Sequence, residues 1–217
     1  MTKEIFLNKR FIVTGLLVVF SVFFLGFFSQ SEKINPIFQT LLVSITFFLV
    51  VPILYSRIVL KESLKNWGWQ EGKIFLGILS GMISVALALV AVFFLSRYTN
   101  LTEEYFFPVS VQKSFLWFLL YELVFASLAT LLYEAFFRGL VQLLWLRSFG
   151  IWAVFFQAIF FVGLLFLSGD ISWQSAPLII FSPFAGLIAY FSQSLWYSWA
   201  ASWLFFFLTD VFLLVIR

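Results

Sequence analysis

Residues 131–140 read LLYEAFFRGL, with a glutamate and an arginine four apart in an otherwise largely apolar run. An isolated charge at the centre of a bilayer costs on the order of several kcal/mol, so membrane helices exclude both residue types unless the protein shelters them. At 100° per residue, positions 127, 130, 134, 138 and 142 fall along one helical face. Those positions carry Ser127, Thr130, Glu134, Arg138 and Gln142, and the residues around them are Leu, Phe, Ala and Val. Lipid cannot satisfy such a stripe, so the spacing predicts a helix over about 114–147 whose polar face turns into a bundle. Glu134 precedes Arg138 by four residues, the favourable order for a side-chain pair on one helix. Two readings stay open on these grounds: a buried ion pair that fixes helix orientation, or an intramembrane functional site.

The rest of the 217-residue chain fits a membrane protein. Its residues are 63% hydrophobic and 11% charged, 33 of them are phenylalanine, and mean hydropathy is +1.07. The apolar runs are continuous, which excludes the alternating pattern of a membrane β-barrel. There is no cysteine and no histidine. Disulfides, thiol chemistry and thiolate metal sites are therefore excluded, as is the usual proton shuttle near neutral pH. Three scattered carboxylates without histidine also make a poor zinc site, so no metal and no cofactor is expected. The net charge of +3 sits mainly in loops, which suits membrane topology and not nucleic-acid binding.

Charges punctuate the chain into runs. Residues 11–31, 34–56 and 74–96 each exceed the roughly 20 residues of a crossing. The fourth helix comes next, then a charge-free run at 148–169. The longer stretch at 171–209 is too long for one span, and Pro177, Pro183 and Ser192-Gln193-Ser194 divide it into helices near 176–191, short or broken, and 194–216. The expected fold is all-α, one membrane domain over 1–217, a polytopic transmembrane helix bundle of about seven spans, with six or eight as alternatives. Lys3, Lys9, Arg10, Arg57, Lys61, Lys65, Lys73 and Arg147 then fall on one side and Lys33, Arg97, Lys113 and Arg217 on the other, which favours the N-terminus inside. The loop at 57–73 has apolar residues at 60, 64 and 67 among charges, the pattern of a short amphipathic helix with Trp67 and Trp69 at the headgroup level.

Two further carboxylates lie within apolar runs. Glu122 points about 120° away from Glu134 and shares its face with Ala126, Ala129 and Tyr133, where a neighbouring helix can approach closely. Asp210 stands near the end of the last span.

Tyr133-Glu134-Ala135-Phe136-Phe137-Arg138-Gly139 resembles the E-E-x-x-x-R-G signature of the CPBP family, the CAAX prenyl proteases and bacteriocin-processing or abortive-infection intramembrane proteins. AVFFQAIFFVGLLF at 153–166 looks like the family's second motif helix. Gly186, Ser194-Leu195-Trp196 and the segment ending near Asp210 are similar to its third motif region. The resemblance covers roughly residues 115–212 and implies membrane-embedded peptide hydrolysis, in which a glutamate and a histidine activate water and polar groups meet the oxyanion. Glu134 and Arg138 carry over. Tyr133 occupies the position of the first glutamate. The second motif, F-x-x-x-H, aligns on Phe161 and puts Leu165 at its histidine, or Phe166 with a shift of one. The third motif puts Ser202, or Phe206 in another register, at its histidine.

A scaffold that keeps the helices and loses these groups reads as a degenerate, non-catalytic member that binds or escorts a membrane protein or peptide, alongside its contact with the lipid bilayer. The runner-up is an active intramembrane endopeptidase with Glu134 as base, a role the Arg138 cation opposes. A third class is an ion or proton transport component using Glu122, Glu134 and Asp210. The resemblance also implies a bacterial inner membrane and a setting of bacteriocin processing or immunity.

Overall fold

A computed structural model describes residues 9–28 and 36–216. Lys3, Lys33 and Arg217, used above to orient the chain, lie outside them. Helix α1 is Lys9–Gly26, α2 Phe38–Leu60, α3 Ile74–Tyr98, α4 Phe115–Leu143, α5 Trp152–Leu167, α6 Ala176–Ser192 and α7 Leu195–Ile216. Among the described residues there is no strand. Five helices are long and apolar enough to cross a membrane: α2, α3, α4, α6 with the turn at Trp173–Ser175, and α7. The apolar part of α1, Ile12–Gly26, and all of α5 are shorter. At 1.5 Å per residue the 16 residues of α5 reach about 24 Å, less than the roughly 30 Å hydrocarbon core.

The charge-free run at 148–169 overstated α5 because its turns carry no charge either. Gly150, at φ +56°, caps the short helix Leu144–Phe149 that follows α4, and Ser168-Gly169 ends α5 with Gly169 at φ +73°. The division of 171–209 is as the prolines and Ser192-Gln193-Ser194 indicate: Gln193, at φ +58°, separates α6 from α7. Pro183 lies inside α6 without breaking it.

The bundle has two apolar cores. One joins α1, α2, α4 and α5 through Val18, Phe48, Phe136, Phe137 and Phe161. The other joins α3, α6, α7 and the 101–111 segment through Val92, Phe107, Phe181 and Phe205. Phe137 meets Phe161 edge-on at 5.2 Å between ring centroids, and Phe181 stacks on Phe205 at 4.4 Å. The outward sides of α1, α3 and the start of α4 present Phe20, Phe75, Met82, Leu116 and Trp117, an apolar surface suited to acyl chains.

Helix α4 runs between these cores. It contains π-helical turns at Tyr121–Ala126 and Glu134–Leu143, and all ten residues of the second are buried. Bonding from i to i+5 widens the helix, and such turns are frequent at functional sites. Two indoles four apart on α7 fasten it to α4: Trp199 donates to the Ser127 carbonyl at 3.0 Å and Trp203 to the Glu122 carbonyl at 2.9 Å.

The 57–73 segment departs from the amphipathic helix expected of it. Residues up to Leu60 belong to α2, and the loop beyond them contains a single 3₁₀ turn, Leu64–Trp67. Trp67 is 1% exposed, inside the first core and not at a headgroup surface. Backbone bonds hold this loop against the α6–α7 bend: Lys73 N–H to the Ser192 carbonyl at 2.7 Å, and Leu195 N–H to the Gly68 carbonyl at 2.9 Å. Ser194 adds a bond to the Gln70 carbonyl at 2.6 Å. The indole thus fills a space that the docked loop encloses, which an isolated surface helix would leave empty.

Gly72 sits at φ +62° with the Ser192 carbonyl and Ser194 Cβ where a side chain would go. Gly72→Ala is expected to lower stability by about 1 kcal/mol or more, read as a reduced melting temperature in detergent; an unchanged melt would show that the loop is not docked there.

Candidate functional site

The stripe read from the sequence is buried in the bundle. Thr130, Glu134, Arg138 and Gln142 are all at most 5% exposed, while Ser127, nearer the helix start, is half-buried. Glu134 is held from two sides. Arg138 Nε lies 3.6 Å from its Oε1, one turn along α4. From α7, Ser202 Oγ donates to Oε1 at 2.7 Å and Ser198 Oγ donates to Oε2. Ser198 and Ser202 are four apart, so one face of α7 presents both hydroxyls to the same carboxylate.

Arg138 continues the network into α6, donating through its terminal nitrogen to the Ser182 carbonyl at 3.1 Å. Gln157 of α5 donates to that same carbonyl at 3.0 Å, and Gln142 donates to the Gly186 carbonyl at 2.7 Å. Helix α6 can come this close because residue 186 is glycine: a Cβ there would fall 2.7 Å from Gln157 Nε2 and 2.9 Å from Gln142 Oε1. The guanidinium also lies over the Phe161 ring, 5.8 Å from its centroid, a contact whose worth rises where water is absent.

Around the charge pair is a cavity of about 20 Å³, lined in part by Thr130, Tyr133, Glu134, Arg138, Ser182 and Ser202. That is room for about one water. A carboxylate offers about four lone-pair sites; Ser198 and Ser202 each donate to one of the two oxygens, and Arg138 adds an ion pair at 3.6 Å. Among the described residues no group of three or more acidic, histidine or cysteine side chains converges.

The remaining motif positions divide. Tyr133 lines the Glu134 cavity and also a larger groove of about 480 Å³ between α2 and α4. Ser202 reaches Glu134, and Phe206, its alternative register, lines the same cavity. Leu165 does not. It is a core residue 4% exposed, and it lines a separate cavity of about 120 Å³ with Tyr133, Ser168 and Asp170. Phe166, the other register, is 71% exposed. Glu122 and Asp210 meet each other, and among the described residues Glu134's side-chain partners are Ser198, Ser202 and Arg138.

Sequence reasoning left out Ser198, Gln157 and the Ser182 carbonyl. For Gln157 there was a signal, since an amide alone among apolar side chains in α5 needs a partner inside the bundle. No family model, no curated protein and no solved structure matches the chain.

Arg138→Ala is expected to cost about 3–5 kcal/mol, the loss typical of a buried pair deprived of one partner. Glu134→Gln, which keeps hydrogen bonding to both serines, is expected to cost less. Folded yield and melting temperature in detergent check the order; equal losses would mean that the pair carries no net burial energy.

Proposed function

We propose that this chain is a non-catalytic, CPBP-like membrane protein that binds or escorts a membrane protein or peptide. The observation that carries this reading is the occupancy of Glu134. Both of its oxygens are engaged by Ser198, Ser202 and Arg138, and in one of the two registers of the third motif Ser202 stands where the family would use histidine. Removing one catalytic group from such a centre typically costs factors of about 10² to 10⁴. Here the first glutamate is replaced by Tyr133, and the chain holds no histidine at all.

The groove between α2 and α4 supports the binding role. Its walls are mainly apolar, with Thr40 and Ser44 on α2 facing Ala126 and Ala129 on α4, and Tyr133 connects it to the polar centre. Small and hydroxyl side chains on facing helices suit close approach by a further apolar segment. The proposal includes seven membrane-embedded helices with the N-terminus inside, in a bacterial inner membrane. The transport reading has less support, since Glu122 and Asp210 pair with each other on α4 and α7 and do not extend the Glu134 network.

Incubation of the purified chain with single-span and prenylated peptides is expected to give no cleavage that depends on Glu134. Cleavage abolished by Glu134→Gln would establish the endopeptidase instead. A photoreactive residue at Ala129 is expected to capture a defined protein or peptide in native membranes. Capture of lipid alone would refute the binding role.

A further inference from the structure

Away from the Glu134 site, a second pair of acids meets where α4, α7 and the 101–107 segment join. Glu122 is fully buried on the first π-helical turn of α4, and among the described residues neither of its carboxyl oxygens has a hydrogen-bond donor. Its carboxyl is within side-chain hydrogen-bonding reach of Asp210, which is 6% exposed on α7. The bond from Trp203 to the Glu122 carbonyl closes the seam seven residues, or about two turns, before Asp210. On the remaining side Tyr105 donates its hydroxyl to Asp210 Oδ1 at 2.7 Å.

Among the described residues no lysine or arginine pairs with either acid, and the titratable groups facing them are Tyr105 and Tyr121. Burial, and then the neighbouring Asp210, pushes the Tyr105 phenol well above its ordinary value of 10.0, so it remains a donor throughout the neutral range. Two ionised carboxylates are acceptors only and cannot bond each other. Contact between them requires a proton on one. A divalent cation is a poor fit, since calcium takes 6–8 oxygen ligands and magnesium near-ideal octahedral geometry, whereas this site supplies two carboxyls and a phenol.

We propose that Glu122 and Asp210 form a proton-binding site, in which one proton bridges the two carboxyls and Tyr105 holds Asp210 in place to receive it. The orphaned oxygens of Glu122 are what the proton satisfies. The bridge joins α4 to α7, and through Tyr105 it joins both to the 101–107 segment. Its loss would set two like charges against each other in apolar surroundings. This inference is independent of any role for Glu134.

Infrared spectroscopy of the full chain in lipid nanodiscs tests it. At neutral pH the wild-type protein is expected to show a protonated-carboxyl carbonyl band that Glu122→Gln removes and Glu134→Gln leaves in place. If Glu122→Gln does not fold, Asp210→Asn replaces it: the band is expected to be lost or shifted in that variant. Three results would overturn the proposal: no such band in the wild type, a band insensitive to Glu122→Gln or to Asp210→Asn, or a band that disappears when sodium replaces choline, which would identify a metal cation as the ligand.

Discussion

Glu134 and Arg138 cannot be left to lipid, and much of the bundle's arrangement answers that constraint. Neither bilayer core nor apolar side chains can satisfy a carboxylate and a guanidinium, so every donor and acceptor must come from the chain itself. Ser198 and Ser202 bring α7 to the pair, the Ser182 carbonyl brings α6, and Gln157 brings α5 to that same carbonyl. Four helices are therefore fixed around one polar centre. A rotation of any of them would strand a buried polar group, at a cost of about 1–3 kcal/mol, more for a charged one. The two apolar cores on either side add contact area but little directionality.

How far the sequence discloses this arrangement depends on the kind of residue. The inward stripe is legible because charges are rare in membrane helices and a spacing of four is unambiguous. The identity of the groups that meet it is less so. Serines in α7 are spread through an apolar segment, and nothing in their spacing alone singles out Ser198 and Ser202. Helical phase separates Glu122 from Glu134 but does not name Asp210 as its partner, since that depends on how α7 crosses α4. Trp67 reads as an interfacial residue, because burial by a docked loop is a long-range effect invisible in a local pattern. Charge-free turns, as at Gly150 and Ser168-Gly169, leave α5 shorter than its run.

The polar groups fall into two independent centres. One is a charge pair in which the carboxylate accepts from two hydroxyls beside the Arg138 cation, around a space for about one water. The other is a pair of acids with a phenol and no cation. Joined end to end they would form a path through the membrane; separated, each acts as a fastening between helices. In the proposed reading, that separation, with Tyr133 and Ser202 where the CPBP resemblance would place a glutamate and a histidine, favours a scaffold that holds a partner over one that cleaves it.

Solid-state nuclear magnetic resonance in lipid bilayers, measuring the separation of the Glu134 carboxyl from the Arg138 guanidinium and the Ser198 and Ser202 side chains, addresses the central claim most directly. The expected result is a Glu134 oxygen within about 4 Å of the guanidinium, both serine side chains beside the carboxyl, and little contact with bulk water. A carboxyl detached from Arg138 and both serines, and turned toward water or acyl chains, would contradict the account.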